Sequence, residues 1–324
     1  MSTSTRIEWT DKTWNPVVGC TRVSAGCDHC YAVRQTHRLA GMHRPEYRGL
    51  TVLNGKGDRH FNGTVRCLPE RLADPLHWRK RCRVFVNSMS DLFHEKVPFE
   101  FVMKVWAAMK MSPSHTFQIL TKRPGIAKEF IAEHLTAHWL MQACDDLVFS
   151  ATWMSDSQQR QFSHIAHRDP HTLVLPNVWL GTSIEDQVTA DERIWHLLRC
   201  PAAVRFLSCE PLLGPIDIGE TDGADEWWQS NGIGWVIVGG ESGPGARPMH
   251  PDWVRSIRDQ CVAAGVPFFF KQWGEYIQVE NLNHTRGWDF VRVGKKRAGA
   301  MLDGREWRHF PANLVDAKAG SAQT

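Results

Sequence analysis

Asn177-Val178-Trp179-Leu180-Gly181, followed at once by Thr182-Ser183-Ile184-Glu185, is a short apolar run that ends abruptly in polar residues. It is too short for a helix and rich in β-branched and aromatic side chains, as in a strand buried on both faces. Asp186 to Leu198 continues with helical spacing. Val204-Arg205-Phe206-Leu207 then repeats the strand pattern and runs into Ser208-Cys209-Glu210-Pro211. Strand, helix and strand in this order are the unit of a parallel sheet.

The same unit recurs on both sides. Upstream, Asn15-Pro16-Val17-Val18-Gly19 leads into Cys20, Arg83-Val84-Phe85-Val86-Asn87 into Ser88-Met89-Ser90-Asp91, and Thr116-Phe117-Gln118-Ile119-Leu120 into Thr121-Lys122-Arg123-Pro124. Downstream, Trp235-Val236-Ile237-Val238 leads into Gly239-Gly240-Glu241-Ser242, and Pro267-Phe268-Phe269-Phe270 into Lys271-Gln272-Trp273. Phe99 to Met111 carries a helical apolar stripe at Phe101, Val102, Val105, Trp106 and Met109, and Asp252 to Ala264 carries another. The expected fold is therefore α/β, a partial (β/α)6-7 TIM-like barrel.

In such barrels the site is built at the carboxyl ends of the strands. Here those ends carry Asp91, Lys122, Arg123, Glu185, Glu210, Glu241 and Lys271. Loops are polar in any protein, but a repeat of this pattern across successive strands suits a site.

Residues 1–276 are expected to form the barrel. Residues 131–176 exceed the needs of one crossover and read as a helical insertion. Residues 277–316 follow the last strand, and Asp303-Gly304 among them is a tight-turn signal, so a small C-terminal β appendage is expected. Residues 317–324 read as a disordered tail.

The chain has 324 residues, with 42% hydrophobic and 23% charged, in the range of soluble globular proteins. A net charge of +3 permits a nucleic-acid partner without demanding one. There is no apolar signal core at the N-terminus and no membrane-length apolar run, so no membrane partner and a cytoplasmic location are expected. Nine cysteines in a reducing compartment do not suggest a disulfide framework. Six are scattered, as small buried hydrophobes are. Cys20, Cys27 and Cys30 are clustered.

Three thiolates on one loop can converge on one metal centre, and soft sulfur ligands select zinc or iron–sulfur clusters. A structural zinc site uses four protein ligands. The chain has no second Cys-x-x-Cys pair, and His29, His37 and the distant Cys67 are the candidates for a fourth ligand. An iron–sulfur cluster that also binds a substrate uses three ligands and leaves one iron open. The spacing favours such a cluster over zinc, with unligated thiols as the third alternative.

The stretch Asn15-Pro16-Val17-Val18-Gly19-Cys20 with Cys27-Asp28-His29-Cys30-Tyr31-Ala32 resembles the cluster loop of the radical S-adenosylmethionine superfamily, nearest to the branch around spore photoproduct lyase. It departs from the usual loop in having six residues between the first two cysteines instead of three, and His29 where an aromatic residue is common. Over most of the chain the sequence is similar to a phage- and bacteria-associated three-cysteine-motif family, a domain of unknown function. The blocks that carry this are Ile7-Glu8-Trp9-Thr10-Asp11 with Trp14-Asn15-Pro16, Asn87-Ser88-Met89-Ser90-Asp91-Leu92-Phe93, Leu120-Thr121-Lys122-Arg123-Pro124, Trp179-Leu180-Gly181-Thr182-Ser183, Glu210-Pro211-Leu212-Leu213-Gly214, Gly239-Gly240-Glu241-Ser242-Gly243, Lys271-Gln272-Trp273-Gly274 and Leu302-Asp303-Gly304-Arg305.

The resemblance implies a [4Fe–4S] cluster on Cys20, Cys27 and Cys30, S-adenosyl-L-methionine on its open iron, and a 5′-deoxyadenosyl radical as the reactive species. It also implies an external electron donor of flavodoxin or ferredoxin type, and a nucleic acid or nucleotide as substrate, for modification or DNA repair. Cofactor contacts are then expected from Ser88, Ser90, Asp91, Lys122, Arg123, Ser183, Glu185, Gly239, Gly240 and Glu241. Cys209 is a candidate hydrogen-atom donor and Glu210 a second catalytic candidate. Lys295, Lys296 and Arg297, with Trp307 nearby, are candidate nucleic-acid contacts; a charge run is otherwise a solvated face. The rival readings are a non-catalytic, zinc-stabilised nucleic-acid-binding protein and an iron–sulfur redox or sensor protein.

Overall fold

A computed structural model describes residues 5–55, 57–219, 232–280 and 288–312. Its centre is a seven-stranded parallel sheet, curled into a half-barrel and ordered as the chain runs. The strands are β1 (Lys12–Trp14), β2 (Arg83–Val86), β3 (Thr116–Thr121), β4 (Val178–Ser183), β5 (Val204–Cys209), β6 (Ile233–Gly239) and β7 (Phe268–Gln272). The expected partial barrel is the observed fold.

The helices are α1 (Tyr31–Gly41), α2 (Phe99–Lys110), α3 (Pro124–Glu129), α4 (Ala137–Phe149), α5 (Asp156–His167), α6 (Gln187–Leu198) and α7 (Pro251–Ala263). Two starts show a local cause. Asp186 accepts from Thr189 N–H while the Thr189 hydroxyl returns a bond to the Asp186 backbone, a capping box for α6. Pro251 occupies the first turn of α7, where its missing N–H costs nothing. The stretch 131–176 contains α4 and α5, and α4 buries Leu140, Cys144 and Leu147 in the main core.

Alternation along each strand divides two cores. Val84, Val86, Ile119, Leu180, Leu207 and Val238 belong to the large cluster that also holds the buried faces of the helices. Phe85, Trp179, Phe206, Trp235, Ile237 and Phe269 form a second cluster on the opposite face. Trp9 crosses this concave face, its ring 4.8 Å from Phe85 and 6.3 Å from Trp235. The aromatic layer fills the inside of the half-barrel, so the polar residues at the strand ends stand on a solid floor.

The strand expected at Asn15 to Gly19 lies elsewhere. The sheet strand is Lys12–Trp14, paired with Val84–Val86. Val17–Val18 instead pairs antiparallel with Arg66–Cys67. Pro16 cannot donate a ladder bond, and Asn15 turns the chain by accepting from Met89 N–H and the Ser88 hydroxyl. Gly19 then returns beside Ser90 in a parallel bridge, so Cys20 still emerges next to the carboxyl end of β2.

At the far edge, Arg308 bridges Phe269, while the Phe270 and His309 N–H groups bond the Trp307 and Phe268 carbonyls respectively. Tyr276–Glu280 pairs with Trp288–Arg292, and Met301–Leu302 with Arg305–Glu306. Asp303 and Gly304 both have positive φ, as the expected tight turn requires. The tail expected at residues 317–324 lies outside the described residues.

Gly181 tests the inner packing. A Cβ at this position would lie 2.5 Å from the Phe206 ring, which is fully buried and cannot swing aside. Gly181→Ala should destabilise the protein by about 1–3 kcal/mol through overpacking. Urea unfolding of the two proteins measures the difference; equal midpoints would contradict the proposed packing.

Candidate metal and cofactor site

The cysteine loop begins at Gly19, whose φ is +90° and whose missing side chain makes room for the Thr64 carbonyl. Cys27 closes a 3-10 turn, Ala25–Cys27, and Cys30 is the N-cap of α1. The three thiols share one electrostatic neighbourhood. Burial first, then Asp91, Cys30 and Cys27, together push Cys20 up to about 12 against the opposing charge of Arg123. Burial also raises Cys30, while N–H groups of Ala32 and Val33 in the first turn of α1 pull it down. Ligation by such thiols requires proton release.

Among the described residues, the metal-type ligands drawn within 4.8 Å of one another are Glu129, Glu133 and His134, not the three cysteines. One zinc ion at ~2.3 Å from each sulfur would gather three thiolates to roughly 3.8 Å. Cys67 sits opposite Val17 on the separate antiparallel ladder, and burial raises its thiol.

The six-residue segment Thr21–Gly26 is docked at both ends. The Ser24 hydroxyl donates to Glu185 at 2.9 Å, and a Cβ on Gly26 would lie 2.6 Å from the same carboxylate. Glu185 is fully buried, ion-paired with Lys122 and, at 3.3 Å, with Arg193. On the other side Arg247 donates to the Ala25 carbonyl at 2.9 Å and to Glu241 at 2.7 Å, and His29 Nδ1 lies 3.0 Å from Glu241. The Thr21 hydroxyl lies 2.7 Å from His94 Nε2. The departure in spacing is thus a structured segment, held by carboxylates from the ends of β4 and β6.

Several expected cofactor contacts are already engaged with the protein. Asp91 accepts from the Thr121 hydroxyl, Lys122 N–H, Phe93 N–H and Arg123. Arg123 also reaches Glu95, the Thr21 carbonyl and, at 4.0 Å, Cys20 Sγ. Ser88 and Ser90 donate to Asn15 Oδ1 and the Val17 carbonyl, tying down the chain before Cys20. Ser183 is buried at the end of β4, and its carbonyl accepts from Arg193.

Gly239 and Gly240 admit protein groups closely. A Cβ on Gly239 would lie 2.5 Å from Glu210 Oε1, and one on Gly240 would collide with the Trp273 carbonyl. Glu210 pairs with Lys271 at 2.9 Å and accepts from Ser208 at 3.3 Å.

Cys209 does not share this mouth. It follows inward-facing Ser208 on β5, so its side chain points outward into the large core, fully buried and close to Cys261. Lys295 bonds Glu8 at 3.2 Å, while Lys296 and Arg297 are exposed. Trp307 is occupied by Arg305, whose guanidinium lies 4.1 Å from its ring, and by Phe268.

Two residues escape the sequence reading. Tyr31 lies part-exposed in the mouth, its hydroxyl bonded to the Ser88 carbonyl, and burial of the phenol, with Cys30 and Glu210, raises it. The only sequence signal for it is its place next to Cys30. Arg247 sits in an irregular loop with no periodicity to mark it.

Fold and site together define an α/β half-barrel with a three-thiol loop at the carboxyl ends of its strands. Residues 4–311 match the family described as "Protein of unknown function (DUF5131)", and the chain belongs to that family. Two solved structures of spore photoproduct lyase are similar to it at 9% identity. One is complexed with dinucleoside spore photoproduct, with a TM-score of 0.37, and the other is a point mutant, with a TM-score of 0.38. Each alignment covers 90% of this chain and 71% of the lyase. No curated protein matches the chain. Among the described residues, no helix is long and apolar enough to cross a membrane.

Burial raises the Glu241 carboxyl, but bonds from Arg247 and His29 outweigh it and hold it below its ordinary value of 4.5. A depressed carboxyl stabilises the fold above its unfolded value and loses that contribution as pH falls through its folded value. Glu241→Gln should therefore cost about 1–3 kcal/mol at neutral pH, and the gap to the parent should shrink below pH 4.5. Denaturant titrations across this range measure it; a gap constant down to strongly acid pH would contradict the assignment.

Proposed function

We propose that this protein is a radical S-adenosylmethionine enzyme that acts on a nucleic acid or nucleotide. The observation that carries the reading is the three-cysteine loop itself. It is held at the carboxyl ends of a half-barrel by Glu185 and Glu241, and its three thiols share one electrostatic neighbourhood. Cys20, Cys27 and Cys30 would hold a [4Fe–4S] cluster with one open iron. Bound there with S-adenosyl-L-methionine and reduced by an external flavodoxin- or ferredoxin-type donor, the cluster supplies radical hydrogen-abstraction chemistry.

The chain's own residues do the positioning. Glu185 and Glu241 fix the loop, and Arg123 places one positive charge beside Cys20. An N–H directed at a ligand sulfur tunes a cluster's potential. The aromatic floor of Trp9, Phe85 and Trp235 closes the mouth from below, so a reactive group there is shielded from water on that side. Glu210 and Lys271 face each other beside Tyr31 and are the polar groups we assign to the substrate. Cys209 has no part in this reading, because its thiol lies in the other core.

Anaerobic reconstitution with iron and sulfide tests the proposal. The parent and Cys67→Ala should take up about four irons, and Cys20→Ala, Cys27→Ala and Cys30→Ala should each lose most of them. Reduced protein should cleave S-adenosylmethionine. One zinc per chain in place of iron, or cluster loss in Cys67→Ala, would reject an open-site cluster.

A further inference from the structure

The positive charge of the chain is unevenly placed. Between Cys20 and Arg66 there are eight Lys and Arg against three Asp and Glu, an excess larger than the +3 of the whole chain, so the remainder is net negative. The three acids are engaged: Asp28 pairs with Arg22, Glu46 with Arg71, and Asp58 accepts from Asn54. The basic segment is the one that contains the cysteine loop.

Two of these cations, Arg34 and Arg38, lie beside the mouth, and three from outside the segment, Arg292, Lys296 and Arg297, join them there. α1 starts at Cys30 and buries Ala32, Val33 and Thr36, leaving Arg34, Gln35, His37 and Arg38 on its solvent face. Arg34 donates to the Ser242 carbonyl at 3.1 Å, and Arg292 to the next carbonyl, Gly243, at 3.0 Å. Consecutive carbonyls of one loop thus hold two guanidiniums side by side. Arg292 is only partly neutralised, by Glu275 at 3.5 Å. The Val293 and Gly294 N–H groups bond the Glu275 carbonyl, which brings the Lys295–Ala298 turn next in line, with Lys296 and Arg297 exposed.

We propose that Arg38, Arg34, Arg292, Lys296 and Arg297 form a phosphodiester track that lays a nucleic-acid strand across the cysteine mouth. A row of exposed cations with few free acids recognises a repeating anion, and this row draws on two separate elements, α1 and the segment from Arg292 to Arg297. A mononucleotide would leave most of the row unused. Tyr31, exposed where α1 meets the mouth, offers a ring on which a displaced base can stack. An anionic membrane is the poorer fit. The apolar side of α1 is packed against Tyr47, Leu50 and Phe61 in the core, and between Arg34 and Arg48 the large apolar side chain left exposed is Met42.

The inference rests on the mouth being the reacting centre, but it is tested on the protein without iron, so failure of either reading leaves the other measurable. Fluorescence anisotropy of labelled single-stranded DNA and RNA oligonucleotides is followed across a salt series. Arg38→Glu/Lys296→Glu/Arg297→Glu should weaken binding at least about tenfold and reduce the salt slope by about one per residue changed. Arg160→Glu/Arg168→Glu, on exposed positions of α5 and its C-cap, should bind as the parent does. Arg38→Lys/Arg297→Lys should keep most of the affinity, which separates charge from folding. Tighter binding of DNA or of RNA supports the track and identifies its source. The proposal is overturned by equal binding of the triple variant and the parent, by equal loss in the α5 control, or by preference for phosphatidylserine vesicles over either oligonucleotide.

Discussion

The buried carboxylate of Glu185 is the point on which the site turns. It meets Lys122 from the end of β3, Arg193 from α6 and the Ser24 hydroxyl of the cysteine loop, and it leaves no space for a side chain at Gly26. An isolated buried carboxylate is costly, and two cations with a hydroxyl offset that cost only if all are in place. Strand end, helix and ligand loop are therefore coupled through one group. Glu241 repeats the device on the other side with Arg247 and His29.

These anchors stand on a sheet whose two faces do different work. The outer face packs aliphatic side chains against the helices and supplies most of the buried apolar area. The inner face packs aromatic rings, and Trp9 fills the space that an incomplete barrel leaves open. One register step decides whether a residue joins the site or the core. Ser208 is on one side of that line and Cys209 on the other, which is why a thiol adjacent to the site in sequence is absent from it in space.

The fold was legible because each strand of a parallel sheet is a short apolar run closed by polar residues, and Val178–Ser183 and Ile233–Gly239 keep that form. The first strand was displaced in the reading because Val17 and Val18 look like a sheet strand and form a separate ladder, while Lys12–Trp14 has no apolar run to announce it. The thiol cluster was legible from spacing. The partners of the loop were less so. Glu185 and Glu241 could be placed at strand ends, but their pairing with Ser24, Arg193, His29 and Arg247 joins residues up to 212 apart in sequence, beyond any local pattern. Ser88, Ser90 and Asp91 were at the mouth as expected, yet bonded to the protein's own chain, which residue type alone does not reveal.

The docking of Thr21–Gly26 also bears on the order of events during biosynthesis. The three cysteines leave the ribosome well before the groups that shape their loop: Glu185, then Glu241, then Arg247. A nascent chain that has displayed its thiols has not yet made the surfaces that arrange them. Arrangement of the three thiols is thereby deferred until most of the sheet has assembled, and they must be kept reduced throughout that interval.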